Sequence, residues 1–248
     1  MSRVIVVKFG GNATENRVSR KKILANIITL NKKMPVLVVH GGGPQISKMM
    51  KDAGIKPRFV NGLRFTDRKT MEIAEKALAA INSSITKQIN IMGGNAFGIS
   101  CREGGLIVSK RVKELGYVGE VQSMDMRLPA LLFSVKIVPV VMPVSSDGKK
   151  TTLNMNADTV ATELAIAFRA ERLVFLTDVP GVKDAGGRVI KSIKTGNIEK
   201  MIKTGVVTGG MIPKLKGCAA AIKRGVGSVQ ISDGTHGISA GAGTTVVK

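Results

Sequence analysis

The chain has 248 residues, of which 38 are Lys or Arg and 17 are Asp or Glu, so its formal net charge is +21. Hydrophobic residues make up 44% of the chain and charged residues 22%, a composition that excludes an intrinsically disordered protein. No apolar stretch approaches the roughly 20 residues of a membrane-spanning helix, and no secretory leader precedes the first apolar run, which together predict a cytoplasmic protein.

Apolar runs rich in β-branched residues alternate with helical patterns along the chain. The predicted strands are Val4–Lys8, Val36–His40, Ile137–Val141, Leu173–Thr177 and Ser228–Ser232. The predicted helices are Arg17–Lys33, Asp67–Ile91, Met124–Phe133, Asp158–Arg169 and Pro213–Lys223. Strands that are apolar on both faces indicate a parallel sheet covered by helices on both sides. In such an α/β fold, ligands bind beyond the carboxyl ends of the strands.

Glycine-rich turns follow the first two predicted strands. Lys8 is followed by Phe9-Gly10-Gly11-Asn12, and His40 by Gly41-Gly42-Gly43-Pro44 at the start of a helix. Glycines let an anion approach the backbone N–H groups, and a helix N-terminus adds partial positive charge. Neither turn has the spacing of a Walker A motif or a GxGxxG fingerprint. A tight strand-to-helix turn explains each one alone, but two on successive strands favour a phosphate site.

Polar residues at two further places could bind an acidic ligand. Arg64 stands just before a predicted helix, where it could pair with a substrate carboxylate or, as a surface residue, with Asp67. Asn154, Asn156 and Asp158 alternate ahead of another helix. One of these three could simply cap that helix, but three polar residues in five positions exceed what capping requires. Later turns at 177–182 and 209–214 repeat the pattern of glycine next to a strand or helix.

Taken together and in this order, the segments resemble the amino acid kinase family, and most closely its N-acetylglutamate kinase branch. The resemblance runs from Val4 to Val247 and includes Gly116–Val121. It implies a three-layer αβα sandwich with a mainly parallel central sheet. It also implies transfer of a phosphoryl group from ATP, with Mg²⁺, to the γ-carboxylate of N-acetyl-L-glutamate in arginine biosynthesis. Residues 1–150 would form an N-terminal lobe for the acidic substrate and dimerisation, and residues 151–248 a lobe for ATP.

The resemblance also implies roles for individual residues. Lys8 would contact the transferred phosphoryl group, Lys214 the nucleotide phosphates, and Asp158 would hold both lysines in place. The substrate would be bound by Gly42, Gly43, Arg64 and Asn154. The nucleotide would be bound by Gly10, Gly11, Thr177, Asp178, Val179, Gly181, Lys183, Val206, Val207, Thr208, Gly210 and Met211.

The residue types agree with this chemistry. A Glu-type carboxylate has a pKa near 4.3, so it is already an ionised nucleophile at neutral pH and needs no general base. The reaction needs positioning and neutralisation of phosphate charge, which lysines, backbone N–H groups and Mg²⁺ supply. With only two histidines, and with Cys101 and Cys218 far apart, no metal site built from protein ligands is expected. The two cysteines are typical of buried residues in a reducing compartment.

The basic charge leaves two alternatives open. One is a kinase for glutamate or aminoadipate attached to a small acidic carrier protein, but such relatives carry Asn-Gly-Asp where this chain has Asn156-Ala157-Asp158. The other is a nucleic-acid-binding protein on the same fold, although seven Phe, one Tyr and no Trp offer few rings for stacking bases. The chain also lacks the N-terminal helix and the acidic C-terminal stretch of arginine-inhibited hexameric relatives. An arginine-insensitive homodimer is therefore expected.

Overall fold

The computed structural model describes residues 3–10, 17–209, 211–239 and 241–248. The helices are α1 (Arg17–Asn31), α2 (Gly43–Asp52), α3 (Arg68–Ile91), α4 (Arg127–Ser134), α5 (Ala157–Ala167), α6 (Ile198–Lys203) and α7 (Met211–Lys223). The strands are β1 (Ile5–Phe9), β2 (Val36–His40), β3 (Phe59–Val60), β4 (Leu63–Arg64), β5 (Ala96–Ser100), β6 (Ile107–Val112), β7 (Val118–Met124), β8 (Val138–Met142), β9 (Val144–Ser146), β10 (Thr152–Asn154), β11 (Arg172–Leu176), β12 (Ser192–Lys194), β13 (Ser228–Ser232) and β14 (Thr244–Val247).

The chain divides into two compact units. The first unit combines Met1–Val36 with Ala161–Lys248, and the second unit is the continuous segment Leu37–Val160. By sequence, the first unit contains 21 of the 38 basic residues but only 7 of the 17 acidic ones. Most of the positive charge therefore belongs to the first unit. The predicted assignment of the acidic substrate to residues 1–150 and of ATP to residues 151–248 stays a prediction.

A mostly parallel sheet forms the centre of the first unit. Its strand order is β12-β14-β13-β11-β1, and β13–β14 is the antiparallel pair. Strand β11 pairs with β1 on one side and with β13 on the other, so that Lys8 is opposite Phe175 and Leu176 is opposite Ser232. The four residues Leu173–Leu176 are buried, as expected for a strand covered on both faces. The carboxyl ends of β1 and β11 lead into two of the turns that are predicted to bind the nucleotide.

The second unit contains a parallel sheet and a small barrel. Its sheet has the order β2-β8-β5, and the closed barrel has the order β10-β7-β6-β9. Helices α2 and α3 pack together through buried apolar side chains that include Ile46, Met50, Met71 and Leu78. This packing fixes the N-terminus of α2, and with it the glycine turn that follows β2.

The predicted helices and strands are confirmed, with small shifts at their ends. Helix α3 begins after Asp67, whose side chain accepts a hydrogen bond from the Thr70 N–H at 2.7 Å, as an N-cap does. Helix α4 begins at Arg127 rather than Met124, because β7 continues through Met124. Over the described ranges, no helix is both long and apolar enough to cross a membrane. Cys101 and Cys218 are buried free thiols.

Candidate active site

Lys8 and Gly10 form one side of the site in the first unit. Lys8 is half-buried near the end of β1, and the end of its side chain lies next to Gly10 in the turn that follows. A Cβ atom at position 10 would overlap the Nζ atom of Lys8, so a larger residue there would displace the ammonium group from this position. Gly11, which was also predicted to bind the nucleotide, lies outside the described residues.

Lys214 approaches the same strand ends from α7. Its Nζ atom lies 3.5 Å from Thr177 Oγ1 and 5.6 Å from the centre of the Phe175 ring. Phe175 is also the residue opposite Lys8 in the β1–β11 register, where partner side chains share a face of the sheet. The fold therefore brings both predicted catalytic lysines beside one phenylalanine.

The turn after β11 is anchored at its far end. The Val182 N–H donates to Thr244 Oγ1 at 2.8 Å. Lys183 forms an isolated antiparallel β-bridge with Val189. Gly181 has φ 155°, and a Cβ atom there would approach Thr244 Oγ1 to 2.7 Å, so a side chain at this position would disrupt the anchor. Asp178 and Val179 are exposed at the tip of the turn, where a nucleotide could contact them.

The turn between α6 and α7 carries the remaining predicted nucleotide residues. Val207 is buried and its N–H donates to the Met201 carbonyl at 3.1 Å, which holds the turn against α6. Val206 is half-buried and Thr208 is exposed. The Met211 N–H donates to the Thr208 carbonyl at 3.3 Å as α7 begins. Gly210 lies outside the described residues.

Gly42 and Gly43 open α2 in the second unit, and each has its own reason to be glycine. A Cβ atom at Gly42 would lie 2.8 Å from both Ile81 Cδ1 and Leu78 Cδ2 of α3, so close helix packing requires glycine there. A Cβ atom at Gly43 would meet nothing within 4 Å. The backbone at Gly43 is thus open to a ligand at the N-terminus of a ten-residue helix.

Arg64 brings a buried positive charge to this turn. Arg64 is only 9% exposed. Its Nη2 group donates to the Gly43 carbonyl at 3.0 Å and to Ser47 Oγ at 2.8 Å. Its Nη1 atom is 3.2 Å from Met50 Sδ. Burial lowers the pKa of Arg64 from its ordinary value, which is far above neutral, so the group stays charged. The alternative of a surface arginine paired with Asp67 is therefore wrong.

The three polar residues ahead of α5 have separate roles. Asn156 Oδ1 accepts hydrogen bonds from the Asp158 N–H at 2.8 Å and the Thr159 N–H at 3.0 Å, so Asn156 is the helix cap. Asn154 Nδ2 lies 3.3 Å from Thr66 Oγ1 in the second unit. Asp158 lies in the first turn of α5, and its predicted contact with the two lysines stays a prediction.

Sequence reasoning missed two residues that hold the predicted substrate residues. Ser47 contacts the Arg64 guanidinium, and Thr66 contacts the Asn154 amide. The position of Ser47 one helical turn after Gly43 is a signal that could have indicated it. Thr66 lies two residues after Arg64, but nothing local connects it to Asn154.

The described part of the chain offers no cluster of three or more His, Cys, Asp or Glu side chains that could hold a metal ion. Mg²⁺ in phosphotransferases is often bound mainly through substrate phosphates and water. A metal ion that enters as part of the nucleotide complex would need few protein ligands, and Asp178 offers one carboxylate on the exposed turn after β11.

A sequence model of the amino acid kinase family matches residues 3–233. The chain belongs to this family. It is 41% identical over 249 residues to acetylglutamate kinase from Endomicrobium trichonymphae, covering 100% of both chains. It is 40% identical over 270 residues to acetylglutamate kinase from Rhizobium rhizogenes strain K84, covering 99% of this chain and 92% of the relative.

A solved structure supports the fold of this amino acid kinase. The crystal structure of smu.665 from Streptococcus mutans UA159 superposes with a TM-score of 0.87 at 28% identity, covering 100% of this chain and 99% of that chain. The fold class predicted from the sequence, an α/β fold with a mainly parallel sheet, is confirmed. ATP use follows from membership of this kinase family.

Proposed function

We propose that this amino acid kinase transfers the γ-phosphoryl group of ATP to the side-chain carboxylate of N-acetyl-L-glutamate, forming N-acetyl-L-glutamyl 5-phosphate in arginine biosynthesis. The observation that carries the proposal is Arg64, a buried cation whose guanidinium contacts the glycine turn at Gly43. Two relatives of about 40% identity over essentially their whole length, both named acetylglutamate kinase, support this substrate.

The acidic substrate is assigned to Arg64, Asn154 and the turn at Gly42 and Gly43. A guanidinium has five N–H donors, so its three described contacts leave further donors for the α-carboxylate of the substrate. Asn154 belongs to the same compact unit as Arg64 and offers an amide to the acetylamino group. The open backbone at Gly43 adds N–H groups for a second anion.

The nucleotide is assigned to the turn that contains Asp178 and to the α6–α7 turn, with Lys8 and Lys214 at the phosphates. The γ-carboxylate of the substrate is ionised at neutral pH and attacks the terminal phosphorus directly. Charge then moves toward the oxygen that leaves with ADP, and the two ammonium groups stabilise it. A Mg²⁺ ion bound with ATP would supply further neutralisation of phosphate charge. The proposal keeps residues 1–150 as the lobe mainly for the acidic substrate and residues 151–248 as the lobe mainly for ATP, with Asn154 and Lys8 each contributing to the other ligand.

We further propose that the enzyme is cytoplasmic and forms a homodimer. Two free, buried cysteines suit a reducing compartment.

The proposed contact surface of the dimer is the outer side of β5. This strand pairs with β8 and with no second strand among those described in its unit. Phe97 on β5 is 55% exposed and Ile91 at the end of α3 is 73% exposed, which suits a second copy of the chain. Light scattering should give the mass of a dimer, and Phe97→Asp should give a monomer. A monomeric mass for the wild-type protein would contradict the proposed dimer.

The substrate is tested by measuring ADP release from ATP and Mg²⁺ with five acceptors side by side. N-acetyl-L-glutamate is expected to give the highest kcat/KM, ahead of glutamate, aspartate, carbamate and UMP. A higher kcat/KM for any other acceptor would replace the proposed substrate. Retention of the protein on DNA without turnover of any acceptor would favour a nucleic-acid-binding protein.

The assignment of Arg64 has its own test. Arg64→Ala should raise KM for N-acetylglutamate by at least about tenfold, because a charged hydrogen-bonding partner of the carboxylate is lost. Arg68→Ala is the matched control, since Arg68 is an exposed arginine that pairs with Glu72 on the surface of α3. An unchanged KM in Arg64→Ala would contradict the assignment.

A further inference from the structure

The hydroxyl of Thr66 lies between the two residues assigned to the acidic substrate. Thr66 is fully buried, and its Oγ1 atom is 3.0 Å from the Arg64 carbonyl oxygen and 3.3 Å from Asn154 Nδ2. Neither the site assignment nor the sequence pattern gives this residue a role. One of its two contacts nevertheless reaches the side-chain amide of Asn154.

The direction of each hydrogen bond follows from the chemistry of the groups. A backbone carbonyl oxygen can only accept, so the Thr66 hydroxyl must donate its proton to Arg64. Its oxygen is then left to accept a hydrogen bond from Asn154. In a carboxamide only the amino group can donate. Nδ2 of Asn154 therefore faces Thr66, and Oδ1 lies on the opposite side of the amide.

The backbone keeps Thr66 and Asn154 at a fixed separation. The Thr66 N–H donates to the Leu115 carbonyl at 2.9 Å, and the Thr66 carbonyl accepts from the Tyr117 N–H at 2.6 Å. The Asn154 N–H donates to the Tyr117 carbonyl at 2.9 Å. Between these residues, Gly116 has φ 79°, and a Cβ atom there would overlap the Thr66 carbonyl oxygen. A single three-residue segment therefore holds both members of the pair.

We propose that Thr66 is a positioning residue that makes the enzyme specific for an acceptor with an N–H group on its α-carbon. This inference rests on the assignment of Asn154 to the acetylamino group of the substrate. With Nδ2 turned toward Thr66, Asn154 Oδ1 accepts the N–H of that group. If the amide were flipped, its amino group would face the substrate N–H, and two donors would oppose each other.

The substitution Thr66→Val tests this role because valine has nearly the same shape and no hydroxyl. The expected result is a rise on the order of tenfold in KM for N-acetylglutamate, with kcat and KM for ATP within about twofold of wild type. Thr66→Ser keeps the hydroxyl and should restore the wild-type KM. Thr152→Val is the matched control, since Thr152 lies on the same strand as Asn154 and accepts instead from Arg102 at 3.2 Å.

A second acceptor separates positioning from general damage to the fold. In 2-acetoxyglutarate an ester oxygen replaces the N–H of N-acetylglutamate. The wild-type enzyme and the Ser variant should prefer N-acetylglutamate over this ester by at least about tenfold in kcat/KM. The Val variant should lose most of that preference, because its Asn154 amide can flip. A wild-type enzyme that does not discriminate, or a Val variant with wild-type discrimination and KM, would overturn the inference.

If Thr66→Val does not fold, as judged by circular dichroism, Thr66→Cys takes its place, because a thiol is a weak acceptor of about the right size. The same loss of discrimination is expected, and its absence would overturn the inference in the same way. Failure of the proposed function gives a different result. In that case the wild-type enzyme itself would not use N-acetylglutamate, whatever residue stands at position 66.

Discussion

The side-chain amide of Asn82 contacts the imidazole of His40, with 3.2 Å between Nδ2 and Nε2. The same amino group donates to the Val140 carbonyl at 2.8 Å, so Nε2 of His40 is an acceptor and the ring proton lies on Nδ1. His40 Nδ1 is 3.0 Å from the Gly41 carbonyl oxygen, to which it donates. A buried amide on α3 thus fixes the tautomer of a histidine that holds the start of the glycine turn.

Gly98 provides the space that Asn82 needs, which leads to a first prediction. A Cβ atom at position 98 would overlap Asn82 Oδ1 and lie 3.1 Å from Thr86 Oγ1. Gly98→Ala should therefore lower the free energy of unfolding by about 1–3 kcal/mol, because the side chains of α3 must move out of their packed positions. Urea denaturation followed by circular dichroism measures the effect.

Gly217 provides a matched control for this substitution. It lies in the interior of α7, where a Cβ atom would meet nothing within 4 Å. Gly217→Ala should raise the free energy of unfolding by about 0.5–1 kcal/mol, because alanine restricts the unfolded chain and favours helix. Equal effects of the two substitutions would contradict the role given to Gly98.

The N-cap of α3 leads to a second prediction. The hydrogen bond from the Thr70 N–H holds the pKa of Asp67 below its ordinary value. Asp67→Ala should lower the free energy of unfolding by about 1 kcal/mol at neutral pH, and Asp67→Asn by less, because asparagine also caps helices. Asp52→Asn is the control. Asp52 is an exposed aspartate at the C-terminal end of α2, where it pairs with Lys48.

The pH dependence of this cap has a definite sign. Because the pKa of Asp67 is lower in the folded than in the unfolded state, the ionised cap stabilises the protein above about pH 3.9, the ordinary value for aspartate. That stabilisation is lost as the pH falls through the folded-state pKa. The difference in free energy of unfolding between wild type and Asp67→Asn should therefore shrink on acidification below about pH 4. A difference that grows there would show that the sign is wrong.

The position of Lys214 leads to a third prediction. Lys214→Met keeps much of the apolar stem beside Phe175 but removes the ammonium group near Thr177. It should lower kcat by at least about a hundredfold with a small change in KM for ATP, because the lost interaction stabilises charge that develops in the transition state. Lys216→Met on the same helix is the control, since Lys216 pairs with Glu199 at the surface. Near-normal turnover in Lys214→Met would remove Lys214 from the mechanism.

The buried thiols lead to a fourth prediction. Cys101 and Cys218 are both fully buried, and burial raises the pKa of the Cys101 thiol far above neutral. Neither cysteine should react with Ellman's reagent in the folded protein, and both should react at once in guanidinium chloride. Rapid reaction of either thiol under native conditions would show that its surroundings open readily.

The sheets could be predicted from the sequence because their strands are buried on both faces. Val36–His40, for example, is buried at all five positions and appears as one continuous apolar run. The barrel strands could not be found in this way, since β6 exposes Lys110 and Arg111 among its apolar residues. Strand β5 was missed because it contains Gly98 and the exposed Phe97, both of which weaken a strand pattern.

The site was predictable where its residues are set by local backbone geometry. The glycine turns and Arg64 lie in short segments whose residue types by themselves indicate anion binding. Their partners come from distant parts of the chain: Asn154 and Thr66 are 88 residues apart, and His40 and Asn82 are 42 apart. Contacts of this kind depend on tertiary packing, so no local pattern indicates them.

The order in which the chain is synthesised matters for a protein whose first unit is made of two separate segments. Strand β1 is synthesised well before one of its partners, β11, which begins only at Arg172. The second unit, Leu37–Val160, is continuous and is complete before β11 exists. The pairing of β1 with β11 can therefore form only after the whole second unit has been synthesised.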